Sequence, residues 1–255
     1  MSIVTTSSWL SKAPLVIAHR GASAFAPENT LAAFRLAADM GADAVELDAK
    51  LTADGRVVIH HDLTLERTTD GEGKIGEKTL TDLKRLDAGS FKGSEYEGER
   101  IPTLDEVFDV IGDRLLINVE LTNYSSMLDQ LVPTVLKLIR NYQLERSVLL
   151  SSFNPIALFQ VRRMAADIRT GLLLQPGMPT LLQSLLKALV PHQDLHPYES
   201  KVDEVLVRTQ HEAGRRVNVW TVNKRNRMEE LIRLGVDGII TNDPRAALGI
   251  VEKFR

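Results

Sequence analysis

The sequence predicts a (β/α)₈ barrel, and three observations carry that prediction. Eight short runs are rich in Val, Ile and Leu, segments of helical period separate most of them, and polar residues gather at the carboxyl ends of several runs. The runs are LVIAHRG (15–21), AVELD (44–48), LLINVEL (115–121), SVLLSSF (147–153), TGLLL (170–174), DLHPY (194–198), VNVWTV (217–222) and DGIITN (237–242). Continuous apolar runs of this length read as strands covered on both faces, as in a parallel sheet. A doubly wound open sheet is the alternative fold. It would usually place a glycine-rich phosphate loop after the first strand, and HRGASAFAPENT matches neither G-x-G-x-x-G nor G-x-x-x-x-G-K-[ST].

In chain order, the first run ends on His19 and Arg20, and a helix over 29–40 follows the Asn29 cap region. The second run continues into a hairpin, because apolar and acidic residues alternate through Val45, Glu46, Leu47 and Asp48, and Val57, Val58 and Ile59 return after Asp54-Gly55. Residues 63–102 break the strand-helix rhythm: they are polar, carry glycines at 71, 73, 76, 89, 93 and 98, and offer only a weak helix at 79–86. They read as a small insertion after the hairpin, within one barrel domain spanning 1–255. Further helices are expected at 103–112, 126–142, 155–166, 179–190, 200–213 and 226–234. In the helix expected over 179–190, Leu181, Leu182, Leu185, Leu186 and Leu189 form a stripe expected to face the barrel, with a lipid-touching lip as the minority reading.

Composition narrows the function. The 255 residues carry 31 basic against 34 acidic side chains, a net charge of −3, with no long run of one sign, which argues against a nucleic-acid-binding face. No apolar run approaches the roughly 18 residues of a membrane span, so stable membrane insertion is not expected. The amino terminus has no basic start followed by an apolar centre, and a cytoplasmic address is the default expectation. With no cysteine, disulfides, thiolate metal sites and cysteine nucleophiles are excluded.

If Asp54-Gly55 is a two-residue loop, Ala53 lies opposite Arg56 and Asp48 opposite His61, so that Glu46, Asp48 and His61 share a face while His60 points away. Two carboxylates on the inward face of a barrel strand are expensive to bury without a partner. Hard oxygen donors in a chain without cysteine suit a divalent cation, magnesium or calcium. His19, Arg20 and Glu120, with Asn118 two positions before Glu120, stand at other strand ends and converge if the barrel closes. Histidines can act as acid and base, arginine can fork onto phosphate, and carboxylates can hold a cation. Together they describe metal-assisted phosphoryl transfer or phosphodiester cleavage.

HRG…PENT (19–30), ELD (46–48), HD (61–62), NVEL (118–121), SSF (151–153), HP (196–197), VWTVN (219–223) and GVDGIITND (235–243) resemble, in this order, the glycerophosphodiester phosphodiesterase family. The resemblance implies a barrel with a small inserted subdomain, and hydrolysis of small glycerophosphodiesters such as glycerophosphocholine to glycerol 3-phosphate and an alcohol. It implies that Glu46, Asp48 and Glu120 bind the divalent metal, that His19 and His61 are the general acid and base, and that Arg20 contacts phosphate. Glu28 and Asn29 look architectural. One position departs from the pattern: where the family commonly has lysine two residues after the third carboxylate, this chain has Thr122, which can hydrogen-bond phosphate but supplies no charge. Lys50 or Lys74 could compensate. Trp220 is either a substrate platform or a core aromatic, His196 either a site residue or a structural histidine, and Phe153 either a pocket wall or packing. Lipid phosphodiesters are the alternative substrates, and a barrel without turnover is the reading from another class.

Overall fold

The computed structural model describes residues 8–124 and 128–254. Among the described residues nine strands form one sheet: β1 (Leu15–His19), β2 (Ala44–Leu51), β3 (Val57–Ile59), β4 (Leu116–Leu121), β5 (Val148–Ser152), β6 (Arg169–Leu174), β7 (Asp194–Pro197), β8 (Arg216–Val219) and β9 (Gly238–Thr241). All except β3 are parallel. Each pairs with its neighbours, and β1 pairs with both β9 and β2, so the eight parallel strands close into the expected (β/α)₈ barrel. The short β3 hangs antiparallel on the outer part of β2.

Strand alternation decides what faces the site. Val45, Leu47 and Ala49 point outward and join Ile117, Val119 and Leu121 in a buried layer against Phe34, Val107, Phe108, Ile111, Val135 and Ile139 of the surrounding helices. The intervening residues Glu46, Asp48, Asn118 and Glu120 therefore point into the barrel.

The helices are α1 (Leu31–Asp39), α2 (Leu80–Leu83), α3 (Leu104–Ile111), α4 (Leu131–Tyr142), α5 (Pro155–Met164), α6 (Thr180–Leu189), α7 (Glu204–Glu212), α8 (Arg225–Arg233) and α9 (Pro244–Val251). Their starts have local causes. The Thr30 side chain accepts from the Ala33 N–H, and Thr103 with Glu106 forms a capping box that starts α3. The first two residues of the helix expected over 126–142 lie outside the described residues. The reading from sequence omitted α9, although Asp243 caps it and Pro244 occupies its first turn, which is a strong start signal. The β1 run stops two residues early because Arg20 and Gly21 both adopt positive φ, 57° and 80°. A Cβ on Gly21 would lie 2.7 Å from the backbone of Ala33, so only glycine lets α1 pack there.

The hairpin corrects the expected register. Lys50 pairs with Val58 and Leu51 with Val57, and the Thr52 N–H bonds to Arg56 O at 2.9 Å. The loop is thus three residues long, 53–55, closed by Gly55 at φ 75°, and Asp48 lies opposite His60 rather than His61. His61 still reaches the barrel mouth, because the chain leaves the strand after Ile59 and alternation no longer governs it. The His60 ring is buried beside the insertion, with Nε2 3.1 Å from Thr64 O. The insertion has a core of its own, in which Leu65, Ile75, Leu83, Ala88 and Ile101 pack on Val58.

The leucine stripe of α6, expected to face the barrel, is largely turned to solvent. None of its residues is buried, and Leu181, Leu182, Leu185 and Leu189 are 74%, 44%, 47% and 69% exposed. The space over the strands is filled by Leu158, Leu172, Leu174 and Leu195, and α6 meets that cluster through Leu186 and through Met178 and Val190 at its ends. Leu104→Ala, which empties a fully buried position of α3, should cost about 2–5 kcal/mol. Leu185→Ser should change stability by less than about 0.5 kcal/mol, because it uncovers nothing. Urea denaturation of the two variants checks the contrast, and comparable losses would contradict this description of α6.

Candidate active site

A cavity of about 390 Å³ opens at the carboxyl ends of the strands. Its walls include His19, Arg20, Glu46, Asp48, His61 and Glu120, together with the aromatic rings of Phe153 and Trp220. The register explains the convergence: His19 is level with Glu46, Glu46 with Asn118, and Asp48 with Glu120 across adjacent strands. One oxygen from each of Glu46, Asp48 and Glu120 lies within 4.8 Å of the others.

Burial and crowding make this cluster electrostatically unsatisfied. Burial, then Asp48 and Glu120, push the Glu46 carboxyl well above the usual range, and burial and Asp48 push Glu120 up to about 8. Burial also opposes ionisation of Asp48. Arg20, His61 and a 2.9 Å hydrogen bond from the Asn29 amide outweigh it and hold Asp48 below its ordinary value. Three carboxylates disposed in this way fit a hard divalent cation, which would offset their repulsion and take their oxygens as ligands. At the cavity wall, the buried Asn118 Oδ1 has no hydrogen-bond partner among the described residues, as a further oxygen donor would.

Each histidine is oriented through Nδ1. His19 Nδ1 is 2.6 Å from Asn242 Oδ1, which leaves Nε2 toward the carboxylates, 3.9 Å from Glu46. Burial and the Arg20 charge press its titration down to about 4, so the ring is neutral at pH 7. His61 Nδ1 is instead 2.6 Å from the carboxylate of Asp62. Arg20 donates to Glu28 at 2.8 Å, while its own backbone N–H donates to Glu46 at 3.1 Å. Arg67, which the reading from sequence missed, donates twice to Glu28, at 2.9 and 2.7 Å, and once to Asp62 at 2.5 Å. A single guanidinium from the insertion thus links the partner of Arg20 to the partner of His61. Burial opposes ionisation of Glu28, yet Arg67 and Arg20 pull it down to about 2.

The aromatic side is a row of edge-to-face contacts: Tyr124 to Phe153 at 6.1 Å, Phe153 to Trp220 at 5.4 Å, and Trp220 to Tyr198 at 5.3 Å. The Tyr124 hydroxyl donates to Glu120, a further contact that motif spacing could not reveal. Not every candidate reaches the cavity. His196 is fully buried beneath it; its Nε2 accepts from Asn218, and its backbone carbonyl holds the Trp220 indole N–H at 2.8 Å. Burial presses this imidazole down to about 3, so it stays neutral. Thr122 turns away as well, toward a second cavity that Lys50 and Lys74 also line.

The sequence profile of the glycerophosphoryl diester phosphodiesterase family matches residues 19–246. The chain belongs to that family. Members of this family are hydrolases, and this chain is 42% identical over 240 residues to the glycerophosphodiester phosphodiesterase of Caldanaerobacter subterraneus subsp. tengcongensis, covering 94% of this chain and 98% of that protein. A solved phosphodiesterase of Oleispira antarctica, in complex with the product sn-glycerol-3-phosphate, superposes with a TM-score of 0.89 at 35% identity over 96% of this chain and 100% of that one. The glycerophosphodiester phosphodiesterase of Thermotoga maritima gives a TM-score of 0.74 at 27% identity over 95% and 98% of the two chains. Membership of the glycerophosphoryl diester phosphodiesterase family and the barrel fold thus both agree with what the motifs implied.

Proposed function

We propose that this chain hydrolyses small glycerophosphodiesters to glycerol 3-phosphate and an alcohol, with one divalent cation held by Glu46, Asp48 and Glu120 and with His19 and His61 exchanging protons. The observation that carries the reading is the convergence of three carboxylates, two of them buried and the third half-buried, an arginine and two Nδ1-anchored imidazoles in one cavity. The product bound to the Oleispira protein supports it. We take residues 1–255 as one catalytic domain in which the 63–102 insertion contributes Arg67.

When bound, magnesium or calcium would polarise a phosphoryl oxygen and offset developing negative charge. The remaining chemistry belongs to the side chains. Arg20, fixed by Glu28, directs its guanidinium to the phosphate. Neutral His19 takes the proton of the attacking hydroxyl. His61, whose Nδ1–H is held by Asp62, delivers a proton from Nε2 to the departing alkoxide. Phe153 and Trp220 form the apolar wall for the glycerol or the head group. Attack by the glycerol 2-hydroxyl would give a cyclic phosphate that water then opens. A glycerophosphocholine analogue lacking that hydroxyl should therefore be cleaved at least about a hundredfold more slowly. Equal rates would mean direct attack by water.

One observation favours lipid phosphodiesters as a second reading. Gln175 and Pro176 stand on the cavity rim, and the exposed leucines of α6 begin a few residues later, so an acyl chain leaving the cavity would meet an apolar surface. Faster turnover of lysophosphatidylcholine than of glycerophosphocholine would select this reading, and the reverse order would select the first.

A further inference from the structure

Lys50 follows Glu46 and Asp48 at alternate positions of β2, on their side of the strand but nearer its end, where with Thr122 it lines the second cavity beside the site. It is 7% exposed, and its ammonium donates to Thr122 Oγ1 at 2.9 Å. That hydroxyl in turn donates to Ala49 O at 2.7 Å, which fixes it as an acceptor for the lysine. Among the described residues Thr122 is the one hydrogen-bonded partner of this ammonium, which forms no ion pair with any of their carboxylates. A buried cation without a close carboxylate is unusual, because a pair normally compensates its desolvation.

Charge balance gives it a role. Three carboxylates against one dication leave a negative site, which repels a phosphodiester anion. Arg20 offsets part of that charge, but Glu28 and Asp48 already share it. The resemblance implies a lysine at position 122, where this chain has Thr122, and the Lys50 ammonium rests on that threonine's hydroxyl.

We propose that Lys50, seated on Thr122, is a positioning residue that supplies from β2 the positive charge lacking at position 122, loosening the carboxylates' hold on their cation while drawing the phosphodiester in. The inference rests on the function proposed above. It has a signature that a purely structural role lacks, because the two affinities move in opposite directions. Removing a cation beside a carboxylate cluster strengthens cation binding and weakens anion binding; disturbing the fold weakens both.

The test measures Mg²⁺ binding by calorimetry and steady-state hydrolysis of glycerophosphocholine for the wild type, Lys50→Met, Thr122→Val and the double variant Lys50→Met/Thr122→Lys. Lys50→Met should bind Mg²⁺ about tenfold more tightly and raise KM about tenfold, with a smaller change in kcat. Thr122→Val, which unseats the ammonium but keeps its charge, should shift both in the same directions by less. The double variant should return both toward the wild-type values. Weaker binding of both Mg²⁺ and substrate in Lys50→Met, no change in either, or no recovery in the double variant would each overturn the role of Lys50. A wild-type protein that neither binds Mg²⁺ nor turns over the substrate would overturn the functional reading itself, and the role of Lys50 with it.

Discussion

Glu46→Gln should lower turnover of glycerophosphocholine by about a thousandfold or more while leaving the metal-free protein at least as stable as the wild type. The substitution keeps the shape of a side chain whose Oε2 accepts the Arg20 N–H and faces His19, but removes one of three carboxylates confined within 4.8 Å. Without a cation that crowding is destabilising, and relieving it favours the folded state. With a cation the order reverses: the wild type gains stability by mass action, and the variant gains much less. Thermal unfolding in EDTA and again in excess Mg²⁺ reads both halves of the expectation. A Glu46→Gln protein that is less stable in EDTA, or one stabilised by Mg²⁺ as strongly as the wild type, would show that the cluster is a structural charge network.

His19→Ala and His61→Ala should each cost about 10²–10⁴-fold in kcat, and the identity of the leaving group should tell them apart. His19 is half-buried beside Arg20, held by a neutral amide and unprotonated at pH 7, which suits it to accept a proton. His61 donates Nδ1–H to a carboxylate that Arg67 in turn holds, which suits its Nε2 to carry and release one. A p-nitrophenyl ester of glycerol phosphate departs without protonation. On that substrate His61→Ala should recover most of its lost rate, and His19→Ala should recover none. Recovery by His19→Ala alone would exchange the two roles, and recovery by neither would assign both residues to binding.

Much of the fold was legible because the barrel repeats one physical pattern, an apolar strand followed by an amphipathic helix. The failures were local. The hairpin was misread because Asp54-Gly55 is the signal for a two-residue turn, whereas Gly55 in the left-handed region closes a three-residue one, shifting the register by one. The leucines of α6 have the period of a core-facing stripe, yet periodicity reports an apolar face and not what covers it. At the site, the residues on strands or next to their ends were found by reading strand ends: His19, Arg20, Glu46, Asp48, His61 and Glu120 all line one cavity. Partners contributed by loops were not found, since Arg67 and Tyr124 occupy positions that no strand or helix period singles out. His196 shows the opposite limit: it stands on β7, but its ring points into the packed barrel interior, and only its backbone carbonyl serves the aromatic wall.

Dependence of the reaction on a divalent cation is read by glycerol 3-phosphate release from glycerophosphocholine with the purified protein, first in EDTA and then with Mg²⁺ or Ca²⁺ restored. The expected result is no release in EDTA and full recovery with one of the two ions. Release that continues undiminished in EDTA would mean that Glu46, Asp48 and Glu120 do not work by holding a divalent cation.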